Sequence, residues 1–97
     1  MDIEKHNQLQ KLLQSNAPFE ERLSTIAAWF ARNYDTKVYF CKISAKRWEY
    51  IAGDKDIDIP EHRYQINEKT GMICGETTIN QNTMQRLIDV LKKELII

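Results

Sequence analysis

The chain has few of the residues that mark specialised protein classes. Its 97 residues include two cysteines, three glycines and two prolines. Two cysteines cannot build a disulfide framework, which argues against a small disulfide-stapled secreted protein. No apolar run approaches the roughly 20 residues needed to cross a bilayer, and the N-terminus is polar rather than signal-like. We therefore expect a cytoplasmic protein with free thiols and no membrane partner.

The chain also lacks an excess of either charge. Fourteen basic and fourteen acidic residues cancel, whereas a general binder of nucleic acid or anionic membranes usually carries a basic excess. Apolar residues make up 42% of the sequence, which is too many for a disordered chain. This length and composition predict a single small globular domain, residues 1–97, with one hydrophobic core.

Motifs for common enzyme and cofactor chemistry are missing. The sequence contains no glycine-rich phosphate loop and no nucleophile elbow. His6, His62, Cys41 and Cys74 do not show the spacing of zinc ligands. No motif supports a nucleophilic pair between either cysteine and His62. We expect no catalytic residue and no cofactor, and we expect both cysteines to be small core residues.

Apolar periodicity predicts three helices around a block of strands. A thin apolar stripe predicts a helix over residues 3–15. A stronger stripe predicts a second helix over 18–33, begun by Pro18 with Asn16 or Ala17 at its cap. The third helix is expected to start after a cap at Thr78 or, alternatively, at Asn80. Its wide apolar stripe should cover one side of the strands.

The first predicted hairpin lies in the middle of the chain. Residues 36–43 (TKVYFCKI) are rich in β-branched and aromatic side chains, and residues 47–52 (RWEYIA) return after a short loop. Alternation places Val38 and Phe40 on one face of the first strand. It places Tyr39, Cys41 and Ile43 on the other. Because both faces are apolar, we expect this strand to lie centrally in a sheet.

A second hairpin follows, with strands over 63–67 and 72–78. Glu68-Lys69-Thr70-Gly71 should form its turn, with Gly71 at positive φ. Short hairpin loops require antiparallel neighbours. The order α-α-β-β-β-β-α therefore predicts an α+β fold with a four-stranded antiparallel sheet covered by helices on one face.

The stretch GDKDIDIPEH begins like a calcium-binding loop. Asp54, Asp56 and Asp58 are spaced as the first three oxygen ligands of an EF-hand. Ile59 then occupies the position that needs glycine, and Gln65 the position that needs a bidentate carboxylate. The three aspartates are therefore weak metal candidates, and the alternative is a solvated acidic connection.

Aromatic and basic residues occur together on the first predicted hairpin. The candidate interaction residues are Lys42, Lys46, Arg47, Trp48 and Tyr50. Such a surface suits single-stranded nucleic acid, because rings stack on bases and cations contact phosphates, but the zero net charge argues against this partner. Basic residues between 37 and 47 are followed by an acidic stretch between 49 and 61. This separation suits a charged protein partner or self-association.

The run from an amphipathic helix into VYFCKI and then RWEYIAG, about residues 19–52, resembles the opening of sensor modules of the GAF and PAS type. In those modules a helix leads into a hairpin of an antiparallel sheet. The resemblance implies a small-ligand sensor with a pocket between sheet and helix, lined by residues such as Trp48 and Tyr50.

The sequence favours a non-enzymatic interaction or regulatory domain. Strand 36–43 needs cover on both faces, and helices on one side leave the other side for a protein partner or a second copy of the chain. The apolar C-terminus, residues 95–97, favours the same hypothesis. The small-ligand sensor is the first alternative, and the single-stranded nucleic-acid binder is the second.

Overall fold

The computed structural model describes residues 2–57 and 59–95. Within them the chain forms three helices and a four-stranded antiparallel sheet. The helices are α1 (Asp2–Leu13), α2 (Phe19–Tyr34) and α3 (Gln81–Glu94), and the strands are β1 (Val38–Ser44), β2 (Arg47–Gly53), β3 (His62–Gln65) and β4 (Thr70–Cys74). The predicted α+β class, element order and antiparallel sheet are confirmed. The largest shift is in the last strand, which was predicted over 72–78 and runs over Thr70–Cys74.

Local capping chemistry sets the ends of α2 and α3. The Asn80 side chain accepts a hydrogen bond from the backbone N–H of Thr83 at 2.8 Å and so caps α3. The alternative cap is therefore confirmed, and the cap at Thr78 is wrong. The predicted cap of α2 at Asn16 or Ala17 is wrong, because Pro18 is the N-cap residue and the helix starts at Phe19, one residue later than predicted. Asp35 ends α2 with a left-handed φ of 51°.

The strands lie in the order β2-β1-β4-β3. The central position of β1 agrees with its two apolar faces. Ala45 and Lys46 connect β1 to β2 with φ values of 47° and 73°, and two positive φ values are typical of a type I′ hairpin turn. The register between β1 and β2 shifts between Phe40 and Cys41, where the ladder is irregular. Four strands in this order leave β2 and β3 as the two edges.

The second hairpin turns earlier than its sequence suggested. The backbone N–H of Ile66 donates to the Thr70 carbonyl at 2.9 Å, and the Asn67 side chain accepts from the Lys69 N–H at 2.9 Å. These bonds close the turn before Thr70. Gly71 therefore lies inside β4, and the prediction that it takes positive φ in the turn is wrong. The glycine with positive φ is Gly53, at 121°.

All three helices contribute to one core on one face of the sheet. Val38, Phe40, Met72 and Cys74 supply the sheet side of this core, and each is 0% exposed. The helix side is supplied by Leu9 and Leu13 of α1, by Leu23, Ile26, Ala27, Trp29 and Phe30 of α2, and by Met84, Leu87, Ile88 and Leu91 of α3. Because α1 packs on α2 and α3, it joins the helix layer and does not cover the second face of the sheet.

Candidate functional site

The second face of the sheet carries no helix in the described part of the chain. Alternation along the strands places side chains from all four strands on it. They are Tyr39, Cys41 and Ile43 of β1, Trp48 and Tyr50 of β2, Arg63 and Gln65 of β3, and Gly71 and Ile73 of β4. We call this set the helix-free face. Cys41 and Ile73 are nevertheless only 1% and 4% exposed, so larger side chains of the same face must cover them.

Trp48 covers the middle of the helix-free face. Its indole lies directly on Gly71, where an added Cβ would overlap the ring. To reach Gly71 on β4, the ring extends from β2 across the intervening β1. The guanidinium of Arg63 lies over the indole, 5.3 Å from its centroid, which is the geometry of a cation–π contact. The Trp48 indole thus lies between Gly71 and the Arg63 guanidinium, and these contacts connect β2 with β4 and β3.

A pair of tyrosines lies beside this stack. The rings of Tyr39 and Tyr50 have centroids 5.7 Å apart. The Tyr50 hydroxyl donates to the Gly53 carbonyl at 2.8 Å, which holds the ring along the strand. The ammonium of Lys55 lies 4.4 Å from the centroid of the Tyr50 ring. Both exposed cations of this region, Lys55 and Arg63, therefore lie on aromatic rings.

These residues form a shallow groove of about 350 Å³. Its described lining consists of Tyr39, Cys41, Trp48, Tyr50, Lys55 and Ile57. Three aromatic rings and one cation line it, and none of its described lining residues is acidic. This groove opens on the helix-free face, where Trp48 lies. Tyr50 also borders a second groove, which lies between α2 and β2. The small-ligand sensor with a pocket between sheet and helix stays a prediction.

The five predicted interaction residues do not share one surface. Trp48 and Tyr50 lie on the helix-free face. Lys42 and Arg47 occupy strand positions that alternate to the other side, and Lys46 lies in the β1–β2 turn.

Sequence reasoning missed the cations that contact the rings. Lys55 comes from the connection after β2, and Arg63 comes from β3, which is three places from β2 in the sheet. No local pattern joins Arg63 to Trp48, since only the strand order brings them together.

The groove is interpreted from its own residues. Comparison with protein families, curated proteins and solved structures gives no match. None of the helices within residues 2–57 and 59–95 has the length and hydropathy of a membrane span. The function of the helix-free face is therefore inferred from its own side chains and their geometry.

The acidic stretch after β2 is partly explained by its own turn. The Asp54 carboxylate accepts a hydrogen bond from the backbone N–H of Asp56 at 3.0 Å, which is an Asx-turn contact. Lys37 donates to the Asp56 carbonyl at 3.2 Å. The third metal candidate, Asp58, lies outside the described residues. Among the described residues, no group of three His, Cys, Asp or Glu side chains is placed to hold a metal ion.

Both cysteines are buried free thiols, as predicted, and they lie on opposite faces of the sheet. Burial, together with the charge of Glu61, raises the pKa of Cys74 to about 11. Burial also raises the pKa of Cys41, against an opposing effect of Arg63. Cys74 lies opposite His62 in the β3–β4 ladder. Because the thiolate is the reactive form, the raised pKa argues against a nucleophilic Cys74–His62 pair.

Alkaline pH is expected to destabilise the fold through Cys74. The pKa of this thiol is about 11 in the folded protein against an ordinary value of 9.0. The folded state therefore holds the proton more tightly than the unfolded chain. This difference stabilises the folded protein fully at pH values below 9.0, the ordinary pKa of the thiol. The stabilisation is lost as the pH rises through about 11, the pKa of Cys74 in the folded protein. Urea unfolding across this interval should show a falling midpoint.

The matched control for this measurement is Cys74→Ala. The pKa values of Cys41, Tyr39 and Tyr64 are also raised by burial, so some alkaline loss should remain in the variant. The urea midpoint should fall less steeply with rising pH in Cys74→Ala than in the original protein. Equal slopes in the two proteins would remove Cys74 as a cause.

Proposed function

We propose that this chain is a small non-enzymatic protein-interaction domain whose helix-free face binds a segment of a partner protein. The observation that carries the proposal is the aromatic surface of Tyr39, Trp48 and Tyr50 on a sheet face without a covering helix. Aromatic residues and arginine are enriched in the centres of protein interfaces, where they contribute much of the binding energy. The chemistry of this face matches that enrichment.

The rings of the helix-free face are held in place before any partner binds. Trp48 is fixed between Gly71 and Arg63, and Tyr50 is fixed by its hydrogen bond to Gly53. A side chain that is already ordered loses little conformational entropy on binding. Tyr50 remains 41% exposed and so offers ring surface to a partner. Preorganised, partly exposed rings therefore support a binding role for the groove.

The charges on the face support a partner of a particular kind. Lys55 and Arg63 are both exposed, and each lies on a ring of the helix-free face. A partner segment that presents apolar side chains to the groove and a carboxylate to these cations would match both features. The proposed partner is therefore a protein segment of mixed apolar and acidic character.

Reversing the two cations is expected to abolish partner binding without unfolding the domain. In Lys55→Glu/Arg63→Glu both changes are on exposed side chains, so the helical circular dichroism should be retained. The matched control Arg86→Glu/Lys93→Glu makes the same change of net charge on exposed positions of α3. Each immobilised protein is used to capture partners from the cells that produce it. Partners should be retained by the original protein and the control, and reduced at least about tenfold by the face variant.

Two results would contradict the proposal. One is an identical set of captured proteins for the original protein and the face variant. The other is a loss of partners with the α3 variant alone, which would place the binding surface on the helices.

A single-stranded nucleic acid is the second candidate partner, favoured by the stacking of Lys55 and Arg63 on aromatic rings of an exposed sheet face. The balanced charge of the chain argues against it. Fluorescence anisotropy with a labelled single-stranded oligonucleotide at low salt separates the two candidates. Binding that weakens with salt and with Lys55→Glu/Arg63→Glu would favour the nucleic acid. If the anisotropy does not change as protein is added, the nucleic acid is excluded as the partner and the protein segment remains the proposed one.

A further inference from the structure

We propose that the outer edge of β2 pairs with β2 of a second copy of this chain, about a two-fold axis at Trp48. The inference rests on the proposed interaction role. It names a second copy as the partner of the sheet edge, whereas the helix-free face remains available to another protein. The free backbone groups of β2 and the charges beside Trp48 support this pairing.

The hydrogen bonds of β1 show which backbone groups of β2 are free. The Ile43 N–H donates to the Lys69 carbonyl at 2.8 Å, so the backbone groups of Ile43 point away from β2. Trp48 lies directly opposite Ile43. In an antiparallel ladder, two opposite residues point their backbone groups either both towards or both away from each other. The N–H and C=O of Trp48 therefore point to the outer edge, and those of Tyr50, two residues later, do the same.

The charges beside Trp48 select the register of the pairing. With the two-fold axis at Trp48, Arg47 of each copy lies opposite Glu49 of the other. Opposite charges placed directly across an antiparallel pair are favourable, and like charges are unfavourable. An axis at Glu49 would instead place two carboxylates opposite each other. An axis at Tyr50 would form neither Arg47–Glu49 pair, so the axis at Trp48 has the best charge complementarity.

Arg47 and Glu49 are free to exchange partners. They lie on the same side of β2, where the guanidinium and carboxylate are 3.8 Å apart with side chains 79% and 55% exposed. An exposed ion pair of this kind contributes little to the stability of the single chain. Edge charges usually discourage strand addition, but the order Arg47-Trp48-Glu49 is complementary to itself when read in the opposite direction.

The space beside β2 also fits this register. The groove between α2 and β2 is lined on the strand side by Tyr50, Ile51 and Ala52, so α2 borders the C-terminal half of the strand. A pairing centred on Trp48 uses the other half. Because β2 begins at Arg47, this register pairs residues 47–49 of one copy with the same three residues of the other.

The pairing would form a continuous eight-stranded sheet. An antiparallel edge pairing places its two-fold axis perpendicular to the sheet, so the helices of both copies lie on one side. The two helix-free faces then join on the other side, with the two Trp48 side chains adjacent at the centre. The dimer therefore doubles the length of the proposed binding surface.

Sedimentation velocity of the full chain over a wide concentration range tests the inference. An edge pairing buries less than the roughly 1,200–2,000 Å² of a standard interface, so association should be weak and half complete on the order of 100 µM. With Arg47→Glu, positions 47 and 49 are both acidic, and with Glu49→Arg they are both basic. Each variant alone should dimerise at least about tenfold more weakly than the original chain.

An equimolar mixture of the two variants is the decisive sample. In the register centred on Trp48, each variant places like charges opposite each other when it pairs with itself, whereas Arg47→Glu paired with Glu49→Arg places opposite charges across the edge. The mixture should therefore form dimers where neither variant does. Because both side chains are exposed, circular dichroism should show that each variant is folded. In a register centred on Glu49, Arg47→Glu alone would leave dimerisation unchanged, and that result would overturn the inference.

The edge pairing and the face binding can fail separately. The edge pairing is contradicted if the chain stays monomeric at every concentration up to the order of 1 mM. It is also contradicted if the mixture of the two variants does not dimerise. The face proposal still stands if Lys55→Glu/Arg63→Glu loses its partner in the same preparation. If the mixture of edge variants dimerises and Lys55→Glu/Arg63→Glu still captures the same partners, the edge pairing is supported and the proposed binding by the helix-free face is contradicted.

Discussion

Phe40→Ala is expected to lower the free energy of unfolding by about 3–5 kcal/mol. Phe40 is 0% exposed on the central strand β1, where it faces the helices and lies between Ala52 on β2 and Met72 on β4. Truncation removes a large buried ring and leaves a cavity that neighbouring strands and helices can only partly close. The loss is large because a domain of this size is stable by only about 5–15 kcal/mol in total.

Urea unfolding followed by circular dichroism measures this loss. With a slope of about 1.5 kcal/mol per M, the midpoint should fall by about 2–3 M. Phe40→Leu is the matched control, since it keeps most of the apolar volume and should cost less than about 1.5 kcal/mol. If Phe40→Ala and Phe40→Leu unfold at the same midpoint as the original chain, Phe40 is not in the core and the sheet is misplaced.

Gly53→Ala is expected to cost about 2–4 kcal/mol. Gly53 has a φ of 121°, a backbone conformation that residues with a side chain rarely adopt. A Cβ added at Gly53 would lie 2.7 Å from the Tyr39 Cα and 2.8 Å from the Val38 carbonyl oxygen. Both contacts are with backbone of the central strand, which cannot move without disturbing the ladder. Gly53 also accepts the hydrogen bond from Tyr50, so the substitution should disturb the tyrosine pair of the helix-free face.

Gly75→Ala is the matched control for this prediction. A Cβ at Gly75 would meet a methyl group of Ile57 at 3.1 Å, and that side chain lies in a connection where it can shift. The control should therefore lose less than about 1 kcal/mol. Thermal or urea unfolding of the two variants makes the comparison. Equal losses would mean that the backbone conformation at Gly53 is not the cause.

Local signals in the sequence were enough to predict the elements and the sides of β1. The apolar alternation of Val38 and Phe40 against Tyr39 and Cys41 predicts two apolar faces, and the structure places one against the helices and the other on the helix-free face. Asn80 was recognisable as a cap because its side chain acts on a backbone group three residues away. Signals of this kind extend over a few residues and depend little on the rest of the fold.

The turn of the second hairpin shows where local reasoning failed. Glycine favours turns, and this preference assigned Gly71 to one. In the folded chain, β4 lies at the centre of the sheet, and the indole of Trp48 occupies the space where a side chain at position 71 would lie. The glycine is needed for the close approach of a residue 23 positions away, which no pattern around Gly71 reveals.

By itself, the sequence determined the α+β class, the order of the elements, the two hairpins and the apolar character of both faces of β1. The tertiary structure decided which hairpin strands meet, and so which cations lie on which rings. Pairing of β1 with β4 brings Arg63 to Trp48 and leaves β2 as a free edge. The physical reason is the range of the forces: turns and periodicity act between neighbours in the chain, whereas the strand order follows from packing all three helices on one face.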